Sequence, residues 1–94
     1  MTVGTFDPLI HAPNRLQICA TLDTVDRVEF APLREQLGVS ESVLSKHVKA
    51  LEDAGYVTVT KGTREGRVRS WASFTKQGKA AYRAHVAALR AIVG

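Results

Sequence analysis

The sequence of 94 residues contains one cysteine, Cys19, so no disulfide can form within the chain. A lone cysteine inside an apolar pattern is expected as a small buried hydrophobe, whereas a thiol switch would need exposure and a lowered pKa. No hydrophobic run approaches the ~20 residues of a membrane span, and the first residues lack the basic, apolar and small-residue succession of a secretory signal. The cytoplasm is therefore the expected compartment. Catalytic patterns are missing too: Ser42 and Ser45 have neither a readable base nor nucleophile-elbow glycines, and no histidine is placed near Cys19. His11, His47 and His85 lie far apart, and no Cys/His pair has zinc-site spacing, so neither an enzyme nor a metal or cofactor site is expected. Internal repeats, low-complexity tracts and linkers are absent as well.

Acidic residues are scarce in the last third. Residues 1–30 sum to −2, 31–60 to −1 and 61–94 to +7, so the formal charge of +4 conceals a strong asymmetry. Clustered Lys and Arg suit a polyanionic partner, because each contact with a phosphate releases condensed counterions. A solvated basic face fits the charge alone equally well.

The length suits one domain, 1–94, and is short for a second, effector-binding one. Residues 1–12 read as a mostly irregular lead-in, which Phe6, Leu9 and Ile10 can dock. Pro13 and Asn14 open a helix over about 14–23, with Ile18 and Leu22 on one side and Leu16 and Ala20 on another, so burial on both sides is expected. Residues 28–30 are extended, and Pro32 sits in the first turn of a second helix, about 32–37, which Gly38 ends in a left-handed conformation. Ser40 is a natural N-cap for a third helix, about 41–54, with Glu41 in its first turn and Gly55 beyond its end. Leu44, Val48 and Leu51 form its inward stripe, opposite Ser42, Lys46 and Lys49.

Two alternating, β-branched and aromatic stretches, 56–61 and 67–74, flank GTREG and predict a hairpin with a charged tip. Thr75 caps a last helix, 76–93. There Tyr82, Val86, Leu89 and Val93, with Ile92 beside them, adjoin a second stripe of alanines. An apolar arc well over 180° on a helix ~27 Å long exceeds what one side of a small domain covers, so this helix is the expected dimer element. Packing on the first helix of the same chain is the alternative, and both contacts can coexist.

LREQLGVSESVLSKHVKAL at 33–51 is thus a helix-turn-helix, which places one helix in a DNA major groove, and KGTREGRVR at 61–69 is a basic hairpin. Ser42 permits close approach, Val43 can meet a thymine methyl, and Lys46 and Lys49 can reach guanine acceptors or phosphates. His47, about 60° from the core centre, fits a packed histidine as well as a DNA contact. Arg64, Arg67 and Arg69, with Lys61, can follow a phosphate backbone or, at the tip, enter a minor groove. Charged hairpins also serve simply to prevent edge pairing.

Nearly the whole chain resembles the winged-helix DNA-binding domain of MarR-like regulators. The likeness runs through HAPNRL, the helix-turn-helix, AGYV and FTKQGKAAY, with some ArsR-like character in SESVLSKHVKALEDAGYV. This implies an α+β winged helix, mostly helical with a small hairpin wing: helix-turn-helix at 32–54, wing at 56–74, dimerisation helix at 76–93. It further implies a homodimeric, sequence-specific regulator of transcription, simplest as a repressor, whose partners are double-stranded DNA and a second copy of itself. Two features depart from the family: the terminal helices are short, and Thr63-Arg64-Glu65-Gly66-Arg67 replaces the usual Asp-Arg-Arg type motif of the wing. Some ArsR-type proteins sense metals, and a site assembled across a dimer from His11 or His85 would lack the cysteine pairs that mark such sensors. The rival function is a winged helix that docks another protein through its last helix and binds no DNA.

Overall fold

A computed structural model describes residues 4–94. Local signals account for most boundaries. Asp7 opens α1 (Pro8–His11) by accepting hydrogen bonds from the N–H groups of Leu9 and Ile10. Pro13 stands at the first position of α2 (Pro13–Leu22), where its missing N–H costs no helical bond. After β1 (Val28–Glu29) comes α3 (Phe30–Leu37), which ends on Gly38 at φ 67°, with the Gly38 N–H donating to the carbonyl of Arg34. Ser40 then caps α4 (Glu41–Asp53) by accepting from the Val43 N–H at 3.2 Å. Strands β2 (Val57–Arg64) and β3 (Arg67–Phe74) form the wing, and Thr75 caps α5 (Lys76–Val93) at the Gly78 N–H.

The sheet is antiparallel in the order β1-β3-β2, with Glu29 opposite Trp71 and Val59 opposite Ala72. Ile10, Ile18, Cys19, Leu22, Leu33, Leu44, Val48, Leu51, Val57 and Ala72 form a core enclosed by the helices and the base of the wing. The inward stripe expected of α4 is buried in full, as is Cys19, whose thiol burial pushes up to about 12.

Four expectations change. The lead-in is not irregular throughout: it carries α1, whose Ile10 is fully buried, while residues 1–3 lie outside the described part. Burial of α2 is one-sided, with Ala20 exposed and Leu16 only half-buried at the edge of the core. Helix α3 begins two residues before the expected start, at Phe30, since Pro32 disturbs nothing within a first turn. The hairpin is longer than read and turns on two residues, Glu65 and Gly66, at φ 54° and 75°. Both φ values are positive, as in a type I′ turn whose twist matches that of the strands.

The last helix divides its apolar residues. His85, Ala88 and Gly78 are buried, and Tyr82 packs against the core with its ring 6.0 Å from that of Phe74. Val86 and Leu89 are half-buried, while Ile92 and Val93 are 69 % and 82 % exposed. Among the described residues no helix is long and apolar enough to cross a membrane.

Candidate nucleic-acid interface

The outer face of α4 is built by its own periodicity. Ser42, Ser45, Lys46 and Lys49 follow one another at helical spacing, all exposed, and with Ser40 and Glu41 they line one shallow, open surface. Ser42 Oγ lies 3.2 Å from Ser40 Oγ, so a hydroxyl pair marks the N-terminal end of this surface. Lys49 Nζ is 3.3 Å from Asp53, an exposed pair one turn apart that a phosphate can replace at little cost. Val43 is partly exposed beside Ser42. Ser45 also belongs to this face, a placement that its position three residues after Ser42 signals in the sequence.

His47 is placed differently. It is half-buried against α2, with Arg15 Nη1 3.2 Å from its Nδ1 and the Asn14 amide 3.3 Å from its Nε2. Burial, then the positive charges of Arg15 and Lys46, hold its pKa below the usual 6.5. The ring is therefore neutral at pH 7 and engaged within the fold.

In the wing, the pairing puts Thr60, Gly62, Arg64, Arg67, Arg69 and Trp71 on one face, because opposed residues of antiparallel strands share a face and alternate residues return to it. Arg64 and Arg67 are directly opposed at the tip. Like charges in that position repel, and an anion between them relieves the repulsion. Arg69 is drawn inward instead: its Nη1 donates to Glu29 Oε2 at 2.8 Å, its side chain is 27 % exposed, and its Nε is buried without a partner among the described residues. Arg64 lies 3.7 Å from the other oxygen of Glu29 but is 65 % exposed. Arg27 stacks over Trp71 at 4.5 Å, bracing the same face from β1's side. A cleft of about 220 Å³ separates the wing from the helix-turn-helix, with Arg34, Glu41, Leu44, Val68 and Arg69 on its walls.

His11 and His85 do meet, Nδ1 to Nε2 at 3.3 Å, across the contact of α1 with α5. Among the described residues no group of three His, Cys, Asp or Glu is arranged to hold a metal ion.

An extended basic hairpin beside a capped helix-turn-helix, on a three-stranded sheet, defines a winged helix. Residues 14–93 match the family described as winged helix DNA-binding domain, and the chain belongs to it. An uncharacterised protein of Methanocaldococcus jannaschii is 32 % identical over 72 residues, which span 77 % of this chain and 78 % of that one. Among solved structures, a transcriptional regulator homologue from Pyrococcus horikoshii OT3 superposes with a TM-score of 0.84 at 24 % identity, covering 90 % of this chain and 84 % of that chain. ZitR of Lactococcus lactis, a zinc-responsive MarR family member, superposes with a TM-score of 0.66 at 20 % identity, covering 99 % and 64 % respectively. The two solved structures share the fold with this chain, and the matched family is a DNA-binding one rather than a family of enzymes.

Proposed function

We propose that the protein is a sequence-specific regulator of transcription that binds double-stranded DNA as a homodimer, in the cytoplasm, and represses by occluding a promoter. The observation that carries this reading is the division of polar groups in the two projecting elements. On α4 the short and basic side chains Ser42, Ser45, Lys46 and Lys49, with Val43 at the edge, form one outward face. At the wing tip Arg64 and Arg67 oppose each other, and Arg64 stays 65 % exposed despite Glu29 at 3.7 Å. Base edges in the major groove are read by the first set, and phosphates or a narrow minor groove are held by the second. His47 and Arg69 support these contacts from inside the fold rather than making them.

Dimerisation is assigned to the single domain's last helix. Val86, Leu89, Ile92 and Val93 leave an apolar end on α5, with Tyr82 continuing the stripe into the core. One winged helix reads too few base pairs to find a promoter, and two recognition helices about 34 Å apart would read a near-palindrome.

Fluorescence anisotropy with a selected operator and with unrelated DNA tests the reading. Lys46→Ala should weaken operator binding by about 1–3 kcal/mol and unrelated DNA far less. The docking-module alternative would be favoured by the absence of any salt-sensitive DNA binding at about 50 mM salt.

A further inference from the structure

The short helix α1 and the start of α2 reach the recognition helix at two separate points, through polar contacts that the core does not require. Arg15 is the first. Its Nε donates to the carbonyl of Leu9 in α1, and its Nη1 donates to Nδ1 of His47 in the middle of α4. Asp7 is the second. One of its oxygens caps α1, and the other accepts from the Tyr56 hydroxyl at 2.6 Å. Tyr56 itself closes the C-terminal turn of α4, its N–H donating to the carbonyl of Leu51 at 2.9 Å.

Hydrogen-bond chemistry fixes the direction of the first link. A guanidinium has donors only, so Nδ1 of His47 is the bare acceptor nitrogen and the ring proton resides on Nε2. That proton then points at the Asn14 side-chain amide, whose nitrogen lies 3.3 Å away, so the amide must turn to present its oxygen as the acceptor. Both ring nitrogens are thus committed to α2. The brace is also anchored behind α4, because the Asp7 N–H donates to Nδ1 of the fully buried His85 in α5 at 2.9 Å.

We infer that Arg15 and Asp7 are positioning residues for the recognition helix, bracing its middle through His47 and its C-terminal end through Tyr56. The inference rests on the DNA-binding reading above. Base discrimination depends on paired donors and acceptors meeting base edges in a fixed geometry, whereas phosphate contacts tolerate displacement. Loosening the brace therefore costs specificity before it costs general affinity, and because neither side chain is assigned to a phosphate, the salt dependence is untouched.

The test is anisotropy over a range of salt, with the selected operator and with unrelated DNA, on the wild-type chain, Arg15→Ala, Arg15→Lys and Tyr56→Phe. Arg15→Ala and Tyr56→Phe are each expected to weaken operator binding about tenfold, with unrelated DNA affected much less and the slope of log K against log salt unchanged. Arg15→Lys should recover part of the loss. A slope reduced by about 0.9 in Arg15→Ala would make Arg15 a phosphate contact and overturn the proposal. Equal losses on both DNAs, or none, would overturn it too. Should Arg15→Ala fail to fold, Tyr56→Phe, which removes a single hydroxyl, decides the same question. Failure of the wild-type chain to bind any DNA would instead defeat the DNA-binding reading. Independently of DNA, nitrogen-15 shifts at pH 7 should show His47 with a bare Nδ1 and a protonated Nε2, and the opposite tautomer would contradict the brace.

Discussion

The three wing arginines should separate into two classes when each is replaced by alanine. Arg64 and Arg67 stand opposed at the exposed tip, and the 3.7 Å pair of Arg64 with Glu29 is too exposed to compete with a phosphate. Each phosphate contact contributes about 0.9 to the slope of log K against log salt, so losing both should flatten it by about 1.8. Extrapolated from 1 M to 0.1 M salt, that difference amounts to a loss of about 60-fold in affinity, nearly equal on operator and unrelated DNA. Arg69→Ala should behave otherwise. It removes the 2.8 Å partner of Glu29, whose side chain is 14 % exposed, and leaves a largely buried carboxylate with only the exposed Arg64 at 3.7 Å to balance it. The cost is about 1–3 kcal/mol of stability, equivalent for a chain of this size to a fall in Tm of at least about 4 °C. Its salt slope should stay at the wild-type value. Anisotropy titrations between about 50 and 300 mM salt, with thermal melts on the same samples, give both quantities. The reasoning is refuted if Arg69→Ala lowers the slope by about 0.9, or if the double replacement at the tip leaves the slope unchanged.

Three further predictions concern the body of the domain. Burial foremost, then His11, hold His85 below its usual 6.5 against the opposing pull of Asp7, and His47 is lowered as well. Groups depressed in this way contribute stability that is complete above pH 6.5 and lost as the pH falls through their folded values, so Tm should be level from pH 7 to 8 and decline below 6.5, less steeply in His85→Gln. Gly78→Ala places a Cβ against the Tyr56 carbonyl, 2.7 Å from its carbon, where only a backbone shift makes room. It should cost about 1–3 kcal/mol in chemical denaturation, and an unchanged midpoint would contradict the packing of α5 on the wing's first residue. Cys19, fully buried with its thiol pushed up to about 12, should react with a maleimide at pH 7.5 only at the rate of unfolding, and prompt labelling of the native protein would show the core to be open there.

The sequence was most legible where a feature is decided locally. Gly38, Ser40 and Thr75 each act through their own φ angle or a bond to an N–H three residues away, and α4 and α5 begin where those residues place them. The stripe Leu44, Val48, Leu51 was likewise readable, because helical period and burial coincide. Contacts between distant segments were not. Glu29 meets Arg69 only because β1 pairs with β3 in the register that sets Glu29 opposite Trp71, two residues from Arg69 on the same face. Nothing in a two-residue strand announces that register. The hairpin turn was misjudged because a type I′ turn favours Asn or Asp before glycine, and Glu65 takes the left-handed position here. Helix α1 escaped notice because four residues carry no periodicity. Its stability comes from Asp7, whose partners Tyr56 and His85 lie 49 and 78 residues away. His47, for which the helical wheel left packing and DNA contact open, is engaged by Asn14 and Arg15, residues that sequence spacing could not connect to it.

The central claim is that two copies of this winged helix read DNA together, each with α4 in a major groove and the wing tip on the flanking backbone. Hydroxyl-radical footprinting on an operator selected from random sequence tests it most directly. The account predicts two protected half-sites related by a dyad, centred about one helical turn or 34 Å apart, with additional backbone protection at the outer flanks that disappears in the Arg64→Ala, Arg67→Ala variant. A single protected half-site at saturation, or no protection on any selected sequence, would contradict it.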